Sequence, residues 1–251
     1  MIKKIWITGA SSGIGKALAI KFANEGWQVA ASARREKLLK DLNEQNSNIH
    51  SFPLDVKNEA ETKNTFQNII EKFDNVDIAV FCTGMHDPDS EIKLNSEKIR
   101  EIMETNFFGT LNCIMAVNNY FRDKKRGHIS IVSSVAGYRG LPAASGYCAS
   151  KSALTSLAES LYFDFKRHNV RVSLVSPGFI KTPMTDKNKF PMPMIKSPEF
   201  AAEKMFIGLT KKNAFEIHFP IAFTMMMKLL KIMPNWLYFL LVKKGMRTIK
   251  Y

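Results

Sequence analysis

The chain has 251 residues, 45% of them hydrophobic, three cysteines and a formal net charge of +13. That length suits one large α/β domain with a sizeable core, and no linker, internal repeat or low-complexity tract divides it. The charge raises nucleic acid as a partner, but no recognised nucleic-acid motif or interleaved aromatic platform accompanies it. That argues against this class and leaves an anionic membrane, an anionic substrate or a solubilising surface.

In chain order, Lys4-Ile5-Trp6-Ile7 is a short apolar run that reads as a buried first strand. It begins so early that no room is left for a signal peptide, and a cytoplasmic setting is expected. Thr8-Gly9-Ala10-Ser11-Ser12-Gly13-Ile14-Gly15 follows as a glycine turn. From Lys16 the pattern turns helical, with Ile14, Leu18 and Phe22 plus Ala17 or Ala23 on one apolar face. A strand, a glycine turn and a helix are what a dinucleotide phosphate needs. Glycines let the backbone approach, and the helix N-terminus offers free N–H groups and a positive dipole end. A bland strand-to-helix turn is the alternative.

The second strand runs over Trp27–Ala33 and is followed by Arg34 and Arg35. An NAD-selective site places a carboxylate at this strand end for the ribose 2′-OH, and here the position holds Ala33. Guanidinium groups suit a 2′-phosphate, so NADP(H) is favoured over NAD(H), with Arg34 as the main contact. A solvated basic turn is the rival reading. Asp55, in Leu54-Asp55-Val56, stands where a helix cap is common. Val76–Phe81 reads as the next strand and leads into Cys82-Thr83-Gly84. Of the three cysteines, Cys82 and Cys113 sit in apolar settings and Cys148 lies downstream. Their spacing is not that of a metal site, and no metal is expected; buried thiols in a reducing compartment fit better than a bridge.

Ile129–Val132 is a strand ending in Ser133-Ser134, and Ser134 precedes Tyr147 by thirteen residues. Tyr147 and Lys151 are spaced i, i+4, so on a helix they share one face. A phenol with an unperturbed pKa of about 10 is a poor acid–base at neutral pH. A nearby ammonium and a positive nicotinamide favour the phenolate. Val175-Ser176-Pro177-Gly178-Phe179-Ile180-Lys181-Thr182 reads as a further strand and turn.

These motifs, in this order, resemble the short-chain dehydrogenase/reductase family from about Lys4 to Met184. The resemblance implies a Rossmann-like doubly wound parallel sheet with helices on both faces. It implies cofactor contacts from Thr8, Gly9, Ser11, Ser12, Gly13, Ile14 and Gly15, from Asp55 and Val56 at the adenine, and from Gly84. Pro177, Gly178, Ile180 and Thr182 would lie over the nicotinamide. Ser134 would hold the substrate oxygen and Tyr147 would move the proton. Lys151 would lower the Tyr147 pKa and bond the ribose, and Asn106 would hold a water that links Lys151 to solvent. At position 82 the family's Asn is replaced by Cys, which puts local sheet stability in doubt more than chemistry. Dimers of the family often form through the helices carrying Asn106 and Tyr147, so a homodimer is expected by analogy.

After Thr182 the chain departs from that pattern. It lacks the short strand with a glycine-rich finish of many relatives. Residues 183–200, rich in Pro, Met and Phe, read as an adaptable apolar lid over the substrate, or else as a surface loop. The extension over 217–251 is apolar and basic. Lys228, Lys231 and Pro234 interrupt it below the ~18–20 apolar residues a spanning helix needs. Thr224, Lys228, Lys231 and Asn235 form one polar stripe, Pro234 ends the helix, and Lys243, Lys244, Arg247 and Lys250 follow. This extension suits packing on the substrate pocket, a dimer contact or a peripheral membrane interface.

The reading is one domain over 1–251, with a cofactor and catalytic core over 1–182. It is an NADPH-dependent oxidoreductase of an apolar carbonyl or secondary alcohol, such as a ketolipid, long-chain aldehyde, retinoid or steroid-like ketone. A 3-oxoacyl-carrier reductase suits the positive charge, although the C-terminal departure argues against it. The rivals are a non-catalytic NADP(H) sensor, which has no need of the phenol, and a membrane-surface interaction protein on the same fold.

Overall fold

The computed structural model describes residues 2–188 and 190–246. Seven parallel strands form one sheet: β1 (Lys4–Thr8), β2 (Gln28–Ser32), β3 (Ile49–Ser51), β4 (Ile78–Phe81), β5 (His128–Val132), β6 (Arg171–Pro177) and β7 (Glu216–Phe219). Their order is β3-β2-β1-β4-β5-β6-β7. Strand order reverses between β1 and β4, so a crevice opens at their C-terminal ends, where open α/β sheets bind ligands.

The strands are apolar on both faces because helices cover both. Ile5 and Ile7 of β1 pack in one core with Leu18 and Phe22 of α1 (Gly13–Asn24) and Met205 and Phe206 of α8 (Pro198–Thr210). Trp6, one residue out of phase, points to the other core. There it meets Phe66 of α3 (Glu59–Phe73), beside Cys113 and Val117 of α6 (Gly109–Lys124) and Leu154 and Ala158 of α7 (Ser145–Lys166). This period of two separates the layers. The remaining helices are α2 (Glu36–Gln45), α4 (Pro88–Ile92), α5 (Ser96–Met103), α9 (Ile221–Ile232) and α10 (Asn235–Met246).

Three sequence expectations shift. Helix α1 starts at Gly13, not Lys16, because the last two glycines of the turn form its first turn. A short seventh strand is present after all. Glu216 and His218 alternate with Ile217 and Phe219 over only four residues, too short a run to carry a periodic signal. The glycine-rich finish is replaced by α9 and α10, which meet at Pro234 as expected. The cap of α3 is Asn58, whose side chain accepts from Glu61 N; the Asp55 carboxylate instead accepts from Lys57 N at 3.1 Å. Arg247 and Lys250 lie outside the described residues.

Candidate active site

The glycine turn holds its shape by backbone contact. A Cβ on Gly15 would stand 2.3 Å from Gly9 O, and one on Gly9, whose φ is +71°, would stand 2.8 Å from Cys82 O. Only glycine permits this approach of β1, the turn and the β4 end. Ser12 is the N-cap of α1, yet its side chain makes no capping bond and the first turn holds no acidic residue. The helix therefore turns unclaimed N–H groups toward the crevice. Ser12 Oγ and Ser11 Oγ accept from Arg35 at 2.7 and 2.8 Å. The turn thus fits an anionic dinucleotide: uncapped donors, a guanidinium beside them, and no Cβ in the way.

A polar cleft of about 280 Å³ runs along the strand ends. It is lined by the predicted Gly9, Ser11, Ser12, Gly13, Ile14, Gly15, Arg34, Arg35, Asp55, Val56 and Gly84. On its far wall stand Ser134, Tyr147, Lys151, Pro177, Gly178, Ile180 and Thr182. Two predicted residues stay out of it. Thr8 is buried, and its hydroxyl accepts from Cys82 N at 3.2 Å, joining β1 to β4 where the family's Asn is absent. Asn106 is fully buried on a single π-helical turn, Glu104–Phe108, a local widening common at functional sites. Its Oδ1 accepts from Met85 N (2.7 Å), while Nδ2 donates to Met85 O (3.0 Å) and Ser150 Oγ (3.0 Å). That amide clamps the segment after β4 to α7. Both bonds donated by its Nδ2 therefore go to protein atoms.

Helix α7 brings Tyr147 and Lys151 to the end of β5. Ser133 Oγ donates to Lys151 O at 2.8 Å, and Lys151 Nζ donates to Val132 O at 3.0 Å, so β5 and α7 are stitched at this level. The Ser134 hydroxyl lies beside the Tyr147 phenol and favours its ionised form, while Ser134 Oγ accepts from Ala136 N at 3.1 Å. Lys151 is only 4% exposed, and burial pushes its ammonium down to about 8. Burial likewise pushes the Tyr147 phenol up to about 12, opposed by the nearby Ser134 hydroxyl. The sequence reading had Lys151 lowering Tyr147. In this structure desolvation is the largest influence on the phenol, and Lys151, with Nζ 5.7 Å from the ring centroid, is not among those that shift it. Burial also pushes the Cys82 thiol up to about 11.

Behind Ser134 and Tyr147 lies a second, apolar cavity of about 330 Å³. Leu141, Phe179, Phe190, Phe223, Met227 and Val242 wall it, and Ser134 and Tyr147 belong to both spaces. From 183–200, Met184 and Phe190 line this cavity, whereas Met194 and Ile195 are exposed.

Sequence reasoning missed two groups. Glu91 of α4 is buried, and its Oε2 accepts from Tyr147 N at 3.1 Å. It serves as the acceptor for the α7 N-terminus, where Ala144 supplies no side-chain cap. Burial raises its carboxyl pKa. Its other oxygen is 3.3 Å from His86 Nε2, and the His86 ring lies 4.6 Å from the Tyr147 ring. Burial lowers the His86 pKa. The one local cue was His86 two residues after Gly84. Glu91 lies 56 residues before Tyr147 and had no cue. The second group is Arg139. Its Nη1 donates to Leu230 O and Met233 O, both at 2.7 Å, and its guanidinium lies 4.0 Å from the Tyr238 ring centroid.

Residues 3–191 match the short chain dehydrogenase family. The chain belongs to the short-chain dehydrogenase family. Its members are oxidoreductases of CH–OH and C=O groups that bind a nicotinamide cofactor. An uncharacterized oxidoreductase of Myxococcus xanthus is 34% identical, covering 92% of this chain and 93% of its own. The structure of ElxO with NADP bound is 25% identical with a TM-score of 0.78, covering 87% of this chain and 98% of that one. A Burkholderia phymatum family member in complex with NAD shares the fold at 22% identity. Its TM-score is 0.78, and it covers 91% of this chain and 92% of that one.

Proposed function

We propose that the protein is an NADPH-dependent reductase of an apolar carbonyl compound. The observation that carries this reading is the shared wall: Ser134 and Tyr147 stand between the polar cleft and the apolar cavity, with Lys151 buried behind them. A carbonyl carbon in the apolar cavity would lie against that wall. Ser134 would hold the oxygen by a hydrogen bond and stabilise its developing charge. Tyr147, protonated at neutral pH, would donate the proton. The nicotinamide, when bound, supplies the hydride. Lys151, with its ammonium partly titratable near neutrality, would bond the ribose and recharge Tyr147.

Arg34 and Arg35 support the preference for NADPH. Both are exposed at the β2 end, without a carboxylate at Ala33 to select a 2′-OH. Arg35 is already held on the glycine turn, which leaves Arg34 for the 2′-phosphate. A homodimer through α6 and α7 is consistent with the exposed Met115 and Phe163 on those helices. No described helix is long and apolar enough to cross a membrane.

The test is NADPH oxidation across aldehydes and ketones of graded length. Tyr147→Phe is expected to lower kcat by roughly 10²–10⁴-fold while NADPH still binds. Equal turnover in the variant would overturn the assignment. Tight NADPH binding with no turnover of any carbonyl would favour a sensor. Arg34→Ala is expected to weaken NADPH binding by at least about tenfold and to leave NADH unchanged.

A further inference from the structure

From Ile217 onward the sequence carries no acidic residue, but it has Lys228, Lys231, Lys243, Lys244, Arg247 and Lys250. Helices α9 and α10 fill most of this stretch, and nine of the seventeen exposed large hydrophobic side chains among the described residues lie on them. The exposure is ordered. On α9, Ile221, Met225, Leu229 and Ile232 recur at spacings of 4, 4 and 3, so they share one face, and all are exposed, Ile232 to 78%. The other face buries Phe223, Thr224 and Met227. On α10, Trp236, Phe239, Leu240 and Lys243 share an outward face, while Tyr238 is buried and donates to Gly140 O.

These helices are docked, not loose. Glu216 of β7 accepts from Tyr138 OH, Ser176 Oγ and Lys228 Nζ, which ties α9 to the sheet. Arg139 closes the C-terminal end of α9 and also donates to Asn235 Oδ1 at the start of α10. The outward apolar faces are thus a built surface. Their inner faces, through Phe223, Met227 and Val242, wall the apolar cavity.

We propose that the outer faces of α9 and α10 seat on an anionic lipid surface, and that the cavity beneath them draws its substrate from that surface. The second clause rests on the reductase reading; the first does not. Charge decides the occupant. A second copy in an isologous contact would bring Lys231, Lys243 and Lys244 toward their own equivalents, with no carboxylate on either side of the extension to pair them. Anionic headgroups supply the missing charge. Trp236 and Phe239 suit the headgroup–acyl boundary, and Lys243 on the same face can bury its stem and leave its ammonium among phosphates. Seated this way, the helices that face lipid on one side face the cavity on the other, which gives a poorly soluble ketone a short path that avoids water.

The experiment is co-sedimentation of the full chain with vesicles of phosphatidylcholine alone or mixed with phosphatidylglycerol, at low and high salt. Binding is expected only to the mixed vesicles and is expected to weaken as salt rises. The double variant Ile232→Ser/Phe239→Ser changes two exposed side chains outside both cavities. It is expected to lower partitioning by roughly tenfold or more and to leave turnover of a short, water-soluble carbonyl unchanged. Wild-type protein that stays in the supernatant with both vesicle types overturns the proposal, as does a variant that binds like wild type. Sedimentation velocity separates the other occupant: a dimer dissolved by the same variant, without vesicle binding, assigns the face to a second copy and overturns the lipid assignment. Vesicle binding needs no turnover, so its failure is distinct from failure of the reductase reading. If both hold, the mixed vesicles lower the apparent KM for a long-chain ketone in wild type and not in the double variant.

Discussion

The polar cleft and the apolar cavity share a wall but are built in different ways. The cleft comes from short, contiguous segments: a glycine turn after β1, two arginines after β2, a serine pair after β5, and a tyrosine and lysine one helical turn apart. The cavity is assembled from single residues drawn from the segment after β4, the loop before α7, the turn after β6, the Pro-rich 183–200 stretch and the last two helices. A dinucleotide phosphate demands backbone geometry, which only a few local sequences can supply. An apolar ligand demands surface, which side chains from anywhere in the chain can supply. The cleft should therefore be brittle to local change, and the cavity should depend on long-range ties.

Gly15→Ala should break the cleft most severely. The added methyl meets a backbone carbonyl that cannot move without shifting β1. We expect NADPH binding to fall by more than about a hundredfold, with unfolding stability lower by roughly 1–3 kcal/mol. Cofactor titration and denaturant melts check both; an unchanged Kd would refute the close-approach account.

Lys151→Met sharpens the comparison from the shared wall. Burial places the folded-state pKa of Lys151 near 8, below the 10.5 of the unfolded chain. Below pH 8 both states are charged and the folded state bears the full desolvation cost. Between pH 8 and 10.5 the unfolded chain holds the proton and the folded one does not, so wild-type stability rises with pH. The variant is expected to be more stable by roughly 2 kcal/mol at pH 7, net of the lost bond to Val132 O. That gain should shrink as pH rises from 8 to 10.5. A gain that does not change with pH would refute the buried-ammonium account.

Arg139→Ala tests the long-range ties and should be the mildest change. It frees carbonyls at the end of α9 and a ring contact on α10, at a cost of roughly 1–2 kcal/mol. KM for long apolar carbonyls should rise several-fold, while NADPH affinity stays as in wild type. A matching loss of NADPH affinity would show that the two spaces are not separable.

Much of the cleft was legible because its determinants are local. Gly13, Gly15, Arg34, Ser134 and the Tyr147–Lys151 pair all stand at spacings that a strand, a turn or one helical turn imposes. The sequence by itself determined five of the seven strands (β1, β2, β4, β5 and β6), the glycine turn, the shared face of Tyr147 and Lys151, and the interruption of the apolar C-terminal stretch. Each follows from nearest-neighbour chemistry and the periods of two and 3.6.

Tertiary structure decided the rest. It brought Glu91 to the N-terminus of α7 and His86 against the Tyr147 ring. It turned the Asn106 amide toward Met85 and Ser150, and it let desolvation, rather than the Lys151 charge, govern the Tyr147 phenol. It also hung α9 and α10 on Glu216 and Arg139, leaving one apolar face to the cavity and another to the outside. Burial and partner choice depend on residues distant in the chain, and no local pattern records them.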